Sequence, residues 1–242
     1  MTDRAGDDAV GRRVRANVDA VRERMAAACE QAGRPPADVR LVAVTKYVDA
    51  AVARLVATAG CADLAESRPQ RLAEMAVALV DVRPEIRWHL VGHLQRNKVR
   101  KTLPFSPLVH TLDSLRLLDA LEVEAAAACM TCDVLVEVNL TGDPGRSGTP
   151  EADVPALVAT AARSPHVRLR GLMGMAARPD APAADARRDF ARLRGLRDAL
   201  AAEVPADMLR ELSMGMSGDL EAAILEGSTM VRVGSALFEG LA

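Results

Sequence analysis

The sequence predicts an α/β fold: a single (β/α)8 barrel of TIM type with an extra N-terminal helix. Three observations predict it. Eight short β-rich runs alternate with helix-like stretches from about residue 40 onward, which calls for a parallel sheet with helical crossovers. A further helical pattern precedes the first of these runs. No Gly-x-Gly-x-x-Gly follows the first strand, where an open, doubly wound dinucleotide-binding sheet would carry it. The 242 residues also suit one such barrel, whose usual size is about 250. The expected division is a flexible stretch over residues 1–8 and one barrel domain over 9–242.

In chain order, Asp8–Gly33 reads as an amphipathic helix, closed by Gly33-Arg34-Pro35-Pro36. The strands then fall at Arg40–Thr45, Ala62–Ala65, Ile86–Val91, Leu108–Leu112, Asp133–Leu140, Val167–Met173, Glu211–Met214 and Met230–Val233. Between them lie helical patterns at Asp49–Ala59, Pro69–Asp81, Leu94–Thr102, Ser114–Ala128, Pro150–Arg163, Asp185–Glu203 and Gly218–Glu226, with a last short helix near Ala236–Leu241. The Pro- and Gly-rich stretches Thr141–Pro150 and Ala176–Ala184 read as long loops on the face where such barrels bind ligands.

Composition excludes several classes of function. Half the residues are hydrophobic, enough for a sizeable core. A net charge of −2, with one Trp, one Tyr and three Phe, argues against nucleic acid as a partner. No apolar run approaches the roughly 18 residues of a membrane helix, and Met1–Asp8 is unlike a signal peptide. With only Cys29, Cys61, Cys129 and Cys132, the expected compartment is the reducing cytoplasm. Cys129-Met-Thr-Cys132 has metal or redox spacing but lacks further ligands, so packing of small buried residues is its default reading, and no metal is expected. Lys46, Lys98 and Lys101 are the sole lysines; every other basic residue is arginine. A lysine in such a chain invites the question of what arginine could not do there.

Lys46 directly follows the buried run Leu41–Thr45, which puts its amine at the C-terminal mouth of the barrel. A partly desolvated amine there can attack a carbonyl and form a Schiff base; the plainer reading is a lysine snorkelling over the rim. Ser213-Met-Gly-Met-Ser-Gly-Asp219 has the glycines and caps of an anion-binding loop, with Ser217 or Asp219 as N-cap. Met230-Val-Arg-Val-Gly-Ser235 repeats the arrangement, and the loops after the seventh and eighth strands are where many barrels hold phosphate. Arg232 shares the inward face of its strand and can point at the ligand's ring. His89 faces into the barrel by alternation, while His93 at the strand–helix turn reads equally as a loop-bracing residue. Glu66 ends the second strand, beside the strand of Lys46, and Tyr47 reads as a packing residue pointing away from the site.

These segments carry a resemblance. Ala43-Val-Thr-Lys46, Trp88-His-Leu-Val-Gly-His-Leu-Gln-Arg-Asn-Lys98, Val138-Asn-Leu, Gly171-Leu-Met, Leu212–Ile224 and Ser228–Phe238 resemble the YggS/PROSC-like pyridoxal phosphate (PLP) homeostasis proteins, over about Ala9 to Phe238. The resemblance implies a barrel like the N-terminal domain of alanine racemase, with PLP as a Schiff base on Lys46. It implies phosphate held by Ser217, Gly234 and Ser235, and Arg232 facing the pyridine nitrogen. The cofactor-binding set is thus Lys46, Ser67, His89, Ser217, Arg232, Gly234 and Ser235, with no catalytic residue. Two positions depart from the family pattern: Ser67 replaces an Asn near the cofactor, and Tyr47 replaces the Pro after the lysine.

The function so implied is a PLP carrier or buffer without catalytic turnover, a monomer whose partners are PLP and PLP-dependent apoenzymes. The main alternative is a fold-type III enzyme such as an amino-acid racemase. That reading needs a second acid–base group opposite the lysine, which racemases take from a further C-terminal domain for which 242 residues leave no room. A Schiff-base aldolase acting on a sugar phosphate would leave Arg232 without a role.

Overall fold

The computed structural model describes residues 4–143, 145–178, 180 and 185–241. A helix, α1 (Arg4–Gln31), leads into strand β1 (Arg40–Val44). There follow α2 (Ala50–Thr58), β2 (Asp63–Glu66), α3 (Pro69–Ala78), β3 (Arg87–Leu90), α4 (Val99–Thr102), β4 (Leu108–Leu112), α5 (Leu115–Ala127) and β5 (Cys132–Asn139). The second half holds a two-residue β6 (Thr149–Pro150), α6 (Val154–Ala161), β7 (Val167–Gly174), α7 (Ala186–Leu200), β8 (Glu211–Ser213), α8 (Leu220–Leu225) and β9 (Met230–Val233).

All pairings are parallel, in the order β4-β3-β2-β1-β9-β8-β7-β5, and β4 pairs with β5 to close an eight-stranded barrel. The expected strands thus form within a residue or two of their predicted ends. Closure leaves no sheet edge in the barrel, and β6 merely extends β5 at its C-terminal end.

Helix starts follow ordinary side-chain chemistry. Asp49, Ser114 and Asp185 accept hydrogen bonds from the backbone N–H groups of Val52, Leu117 and Arg188, and Pro69 opens α3. On α1, Val14, Val18, Val21, Met25 and Ala28 form one buried stripe at helical spacing. That stripe packs against α8 and α2. The predicted extra helix therefore fills the place in the outer ring that β9 leaves open, because β9 is followed by a single 3-10 turn, Ser235–Leu237, and not the expected helix. The pattern at Leu94–Thr102 is also shorter than expected, a 3-10 turn at Arg96–Lys98 running into the four-residue α4, which Pro104 follows. Helix α1 begins at Arg4, inside the stretch expected to be flexible; Met1–Asp3 lie outside the described residues, as does part of the Ala176–Ala184 loop.

Alternation along the strands separates two cores. Val134, Val136 and Val138 of β5 face the helices, so Asp133, Leu135 and Glu137 face the barrel interior. Inside, Val42, Ala65 and Met230 make a small apolar cluster. Much of the remaining interior is polar, with Glu66, His89, His110, Glu137, Ser213 and Arg232 all buried, unlike the bulky branched filling usual in such barrels, and that polarity frames the site.

Candidate cofactor site

The C-terminal mouth is assembled by register. Ala43 pairs with Val233, so the segment Thr45–Lys46 after β1 stands beside Gly234–Ser235 after β9. Gly234 itself packs on Val44: a Cβ there would stand 3.4 Å from the Val44 carbonyl oxygen. The two loops predicted to hold phosphate converge, with Ser235 Oγ donating to Ser217 Oγ at 3.0 Å. Gly215 makes the first loop possible. Its φ is +94°, and a Cβ there would lie 2.5 Å from the Cβ of Ala223. Asp219 is not a side-chain cap for α8; its carboxylate reaches back to accept from the Met216 N–H at 2.6 Å. Burial raises that carboxyl above its ordinary range, against the pull of the same hydrogen bond. Arg24 on α1 braces the loop from behind, donating to the Ser217 carbonyl at 3.0 Å while paired with Glu221.

Lys46 is exposed at this rim, not partly buried as its strand suggested, because the chain leaves the barrel wall at Thr45. Its Nζ stands 4.8 Å from the centroid of the Tyr47 ring. Tyr47 is 85 % exposed, so it covers the amine from outside and does not pack, contrary to the sequence reading. Ser67 is half-buried just beyond β2, pressed against Gly92, where a Cβ would fall 2.2 Å from the Ser67 carbonyl oxygen. Glu66 lies fully buried beside it, with Oε1 accepting from Thr45 Oγ at 2.7 Å and Oε2 without a partner among the described residues. On the opposite wall, Glu137 accepts from Ser147 Oγ at 2.6 Å and likewise has no partner for Oε2 among the described residues. Burial raises both carboxyls above their usual range.

Arg232 reaches across the interior from β9. Its Nη1 donates to the Ser213 carbonyl at 2.6 Å and to Ser213 Oγ at 2.7 Å, and its Nη2 donates to the Gly174 carbonyl at 3.2 Å. The Nε–H makes no hydrogen bond among the described residues. Burial lowers the guanidinium to about 10, with Glu137 and Asp219 opposing, so it stays charged near neutral pH.

His89 is buried in the interior as expected but sits deeper than the mouth. Both ring nitrogens are taken, by Asp63 at 2.9 Å and by His110 at 2.8 Å. His110 in turn contacts Ser213 Oγ at 2.9 Å. Sequence reasoning missed His110, Ser213, Glu137 and Arg24. The alternation of His89 with Val91, applied equally to β4 and β5, would have turned His110 and Glu137 inward. His93 is exposed and 3.1 Å from Asp113, a loop-bracing contact. Of the cysteine pair, Cys132 is buried with its thiol pushed up to about 12, whereas Cys129 is exposed and not buried as expected. Among the described residues no helix is long and apolar enough to cross a membrane.

Residues 16–241 match the family model described as alanine racemase, N-terminal domain. A protein of Pseudomonas aeruginosa named pyridoxal phosphate homeostasis protein is 38% identical, covering 92% of this chain and 93% of its own length. The chain belongs to that family. Among solved structures of its relatives, one described as an unknown protein from Bifidobacterium adolescentis is 37% identical with a TM-score of 0.87, over 96% of both chains. PipY of Synechococcus elongatus, solved with PLP bound, is 33% identical with a TM-score of 0.77, over 90% of this chain and 99% of its own. Membership in the PLP homeostasis family agrees with a mouth lined by one amine, one buried guanidinium and two converging hydroxyls.

Proposed function

We propose that this chain binds PLP at the barrel mouth and acts in PLP homeostasis as a carrier or buffer, without catalytic turnover. The observation that carries the reading is the meeting of Ser217 and Ser235, 3.0 Å apart, on the rim that also holds Lys46. The residues fit the group. Two hydroxyls and the glycine-rich backbone around them suit a phosphate monoester. Arg232 offers a charged donor for a pyridine nitrogen, and Lys46 offers the primary amine that an aldehyde needs. PLP would supply an electrophilic carbonyl and an electron-withdrawing ring.

The chain's own groups limit what that ring can do. A guanidinium cannot accept a proton and does not give one up near neutral pH, so a nitrogen facing Arg232 stays unprotonated and the ring withdraws electrons weakly. Tyr47, the one tyrosine, lies on the Lys46 side and not across from it, which disfavours a two-base racemase. The relatives' shared name supports homeostasis over turnover. We place the protein in the cytoplasm as a monomer that exchanges PLP with apoenzymes, in keeping with its four free cysteines.

The test is direct. Purified protein incubated with PLP is expected to turn yellow, and borohydride should fix the cofactor on the peptide carrying Lys46. Lys46→Ala should retain none after reduction. Protein that takes up no PLP overturns the reading, and Lys46-dependent racemisation of an amino-acid panel would replace it with the enzyme.

A further inference from the structure

An unbroken polar chain crosses the barrel interior: Arg232, Ser213, His110, His89 and Asp63, with separations of 2.7, 2.9, 2.8 and 2.9 Å in that order. Ser213, His110 and His89 are each at least 98 % buried. Its two ends differ in kind. Arg232 can only donate, and an ionised Asp63 can only accept. The ends therefore dictate every link between them. Ser213 Oγ accepts from Arg232 and turns its own hydrogen to His110 Nδ1. His110 then carries its proton on Nε2 and donates it to His89 Nδ1, and His89 donates from Nε2 to Asp63. The reverse direction would set a bare imidazole nitrogen against the Asp63 carboxylate and leave the Ser213 hydrogen without a partner.

Charge supports the same assignment. Burial lowers both imidazoles, so neither is protonated at neutral pH; Asp63 partly opposes this at His89. His89 faces Asp63, Arg87 and Arg40, and His110 faces His89, Arg232 and Arg40. Asp63 is itself a buried group, but the hydrogen bonds from Arg87 and His89 outweigh burial and hold it below the usual carboxylate range. The far end opens to water, since Asp63, Arg87 and His89 line a cavity of about 650 Å³ on the floor of the barrel.

We propose that Ser213, His110, His89 and Asp63 are positioning residues forming one directional relay, which fixes Arg232 toward its ligand and couples it to the Asp63–Arg87 pair on the opposite face. This rests on the reading of Arg232 as the residue that meets the PLP ring, and it adds a control point at the far end of the barrel. The relay is static; no proton need move along it.

Two measurements on the full-length protein test it. Nitrogen-15 spectra without cofactor are expected to show His89 and His110 as neutral Nε2–H tautomers at neutral pH. Proton on Nδ1, or a doubly protonated ring at neutral pH, overturns the relay. With PLP bound, Ser213→Ala should shift the cofactor's absorption and weaken its affinity about tenfold. Asp63→Asn, whose amide oxygen still accepts from His89, should keep both tautomers and give a smaller absorption shift of the same sign. Unchanged spectra in both variants would reduce the chain to a structural network and overturn the coupling. A wild-type protein that binds no PLP would overturn the cofactor reading and the coupling with it, while the tautomers would still decide the relay's direction.

Discussion

At the floor of the barrel Arg40 meets Glu211, Arg87 holds Asp63 through two hydrogen bonds, and Arg168 and Arg170 both reach Asp133. At the mouth, Lys46 has no ion pair among the described residues, and Glu66 and Glu137 each keep a buried oxygen without a partner. Both ends are built from the same strands. The difference is whether those groups answer one another. Paired charges fix geometry at the end that carries stability. Unsatisfied ones, each costing about 1–3 kcal/mol when buried, persist at the end where a ligand can complete them.

Mutation and pH each test that contrast. The largest effect should come from Gly215→Ala, where a left-handed φ and a 2.5 Å clash with Ala223 combine. A loss of about 3 kcal/mol in urea unfolding is expected, with weaker PLP binding because Ser217 shifts. A change below about 0.5 kcal/mol would show that the rim yields freely.

Acidification comes next. Both interior imidazoles have folded-state values below the ordinary 6.5 or so, so the unfolded chain takes up protons first. Their contribution is therefore present above that pH and is lost as the pH falls below it. Asp63, held low, adds a further loss beginning near about pH 4. Urea midpoints should decline as the pH falls from about 7 to 5; a flat profile would mean that the histidines take up protons as readily in the fold as in the unfolded chain.

Glu211→Ala removes a floor partner of Arg40 and of Thr229 Oγ. Because both members of the pair are partly exposed, the expected loss is only about 1–2 kcal/mol, with PLP affinity unmoved. Ser217→Ala is the converse. It should weaken PLP binding about tenfold and leave the unfolding midpoint where it was. If either variant moves the other's observable, the division between floor and mouth fails.

The sequence was most legible where one residue type answers to one local demand. Runs such as Leu41-Val-Ala-Val bury both faces wherever they lie, and Asp49, Ser114 and Asp185 cap helices through bonds only three residues long. Leu94–Thr102 misled at its start: the apolar spacing fits a helix, but Leu94 and Gln95 stay outside it and Arg96–Lys98 form a 3-10 turn before the four-residue α4. Lys46 misled in another way. The burial of β1 ends one residue before it, a boundary that hydrophobicity does not mark.

Strand periodicity and turn chemistry, both short-range, were enough to expect the barrel and to put Lys46, Ser217, Gly234 and Ser235 just after strands, with Arg232 facing inward. Ser67 came only from the resemblance to the PLP family. Which interior groups touch depends on tertiary packing. His110 and Ser213 are 103 residues apart, and Arg232 finds the Gly174 carbonyl across 58. Barrel closure brings them within hydrogen-bond reach, because strands remote in sequence then share one narrow interior in which each buried polar atom must find its partner or a ligand.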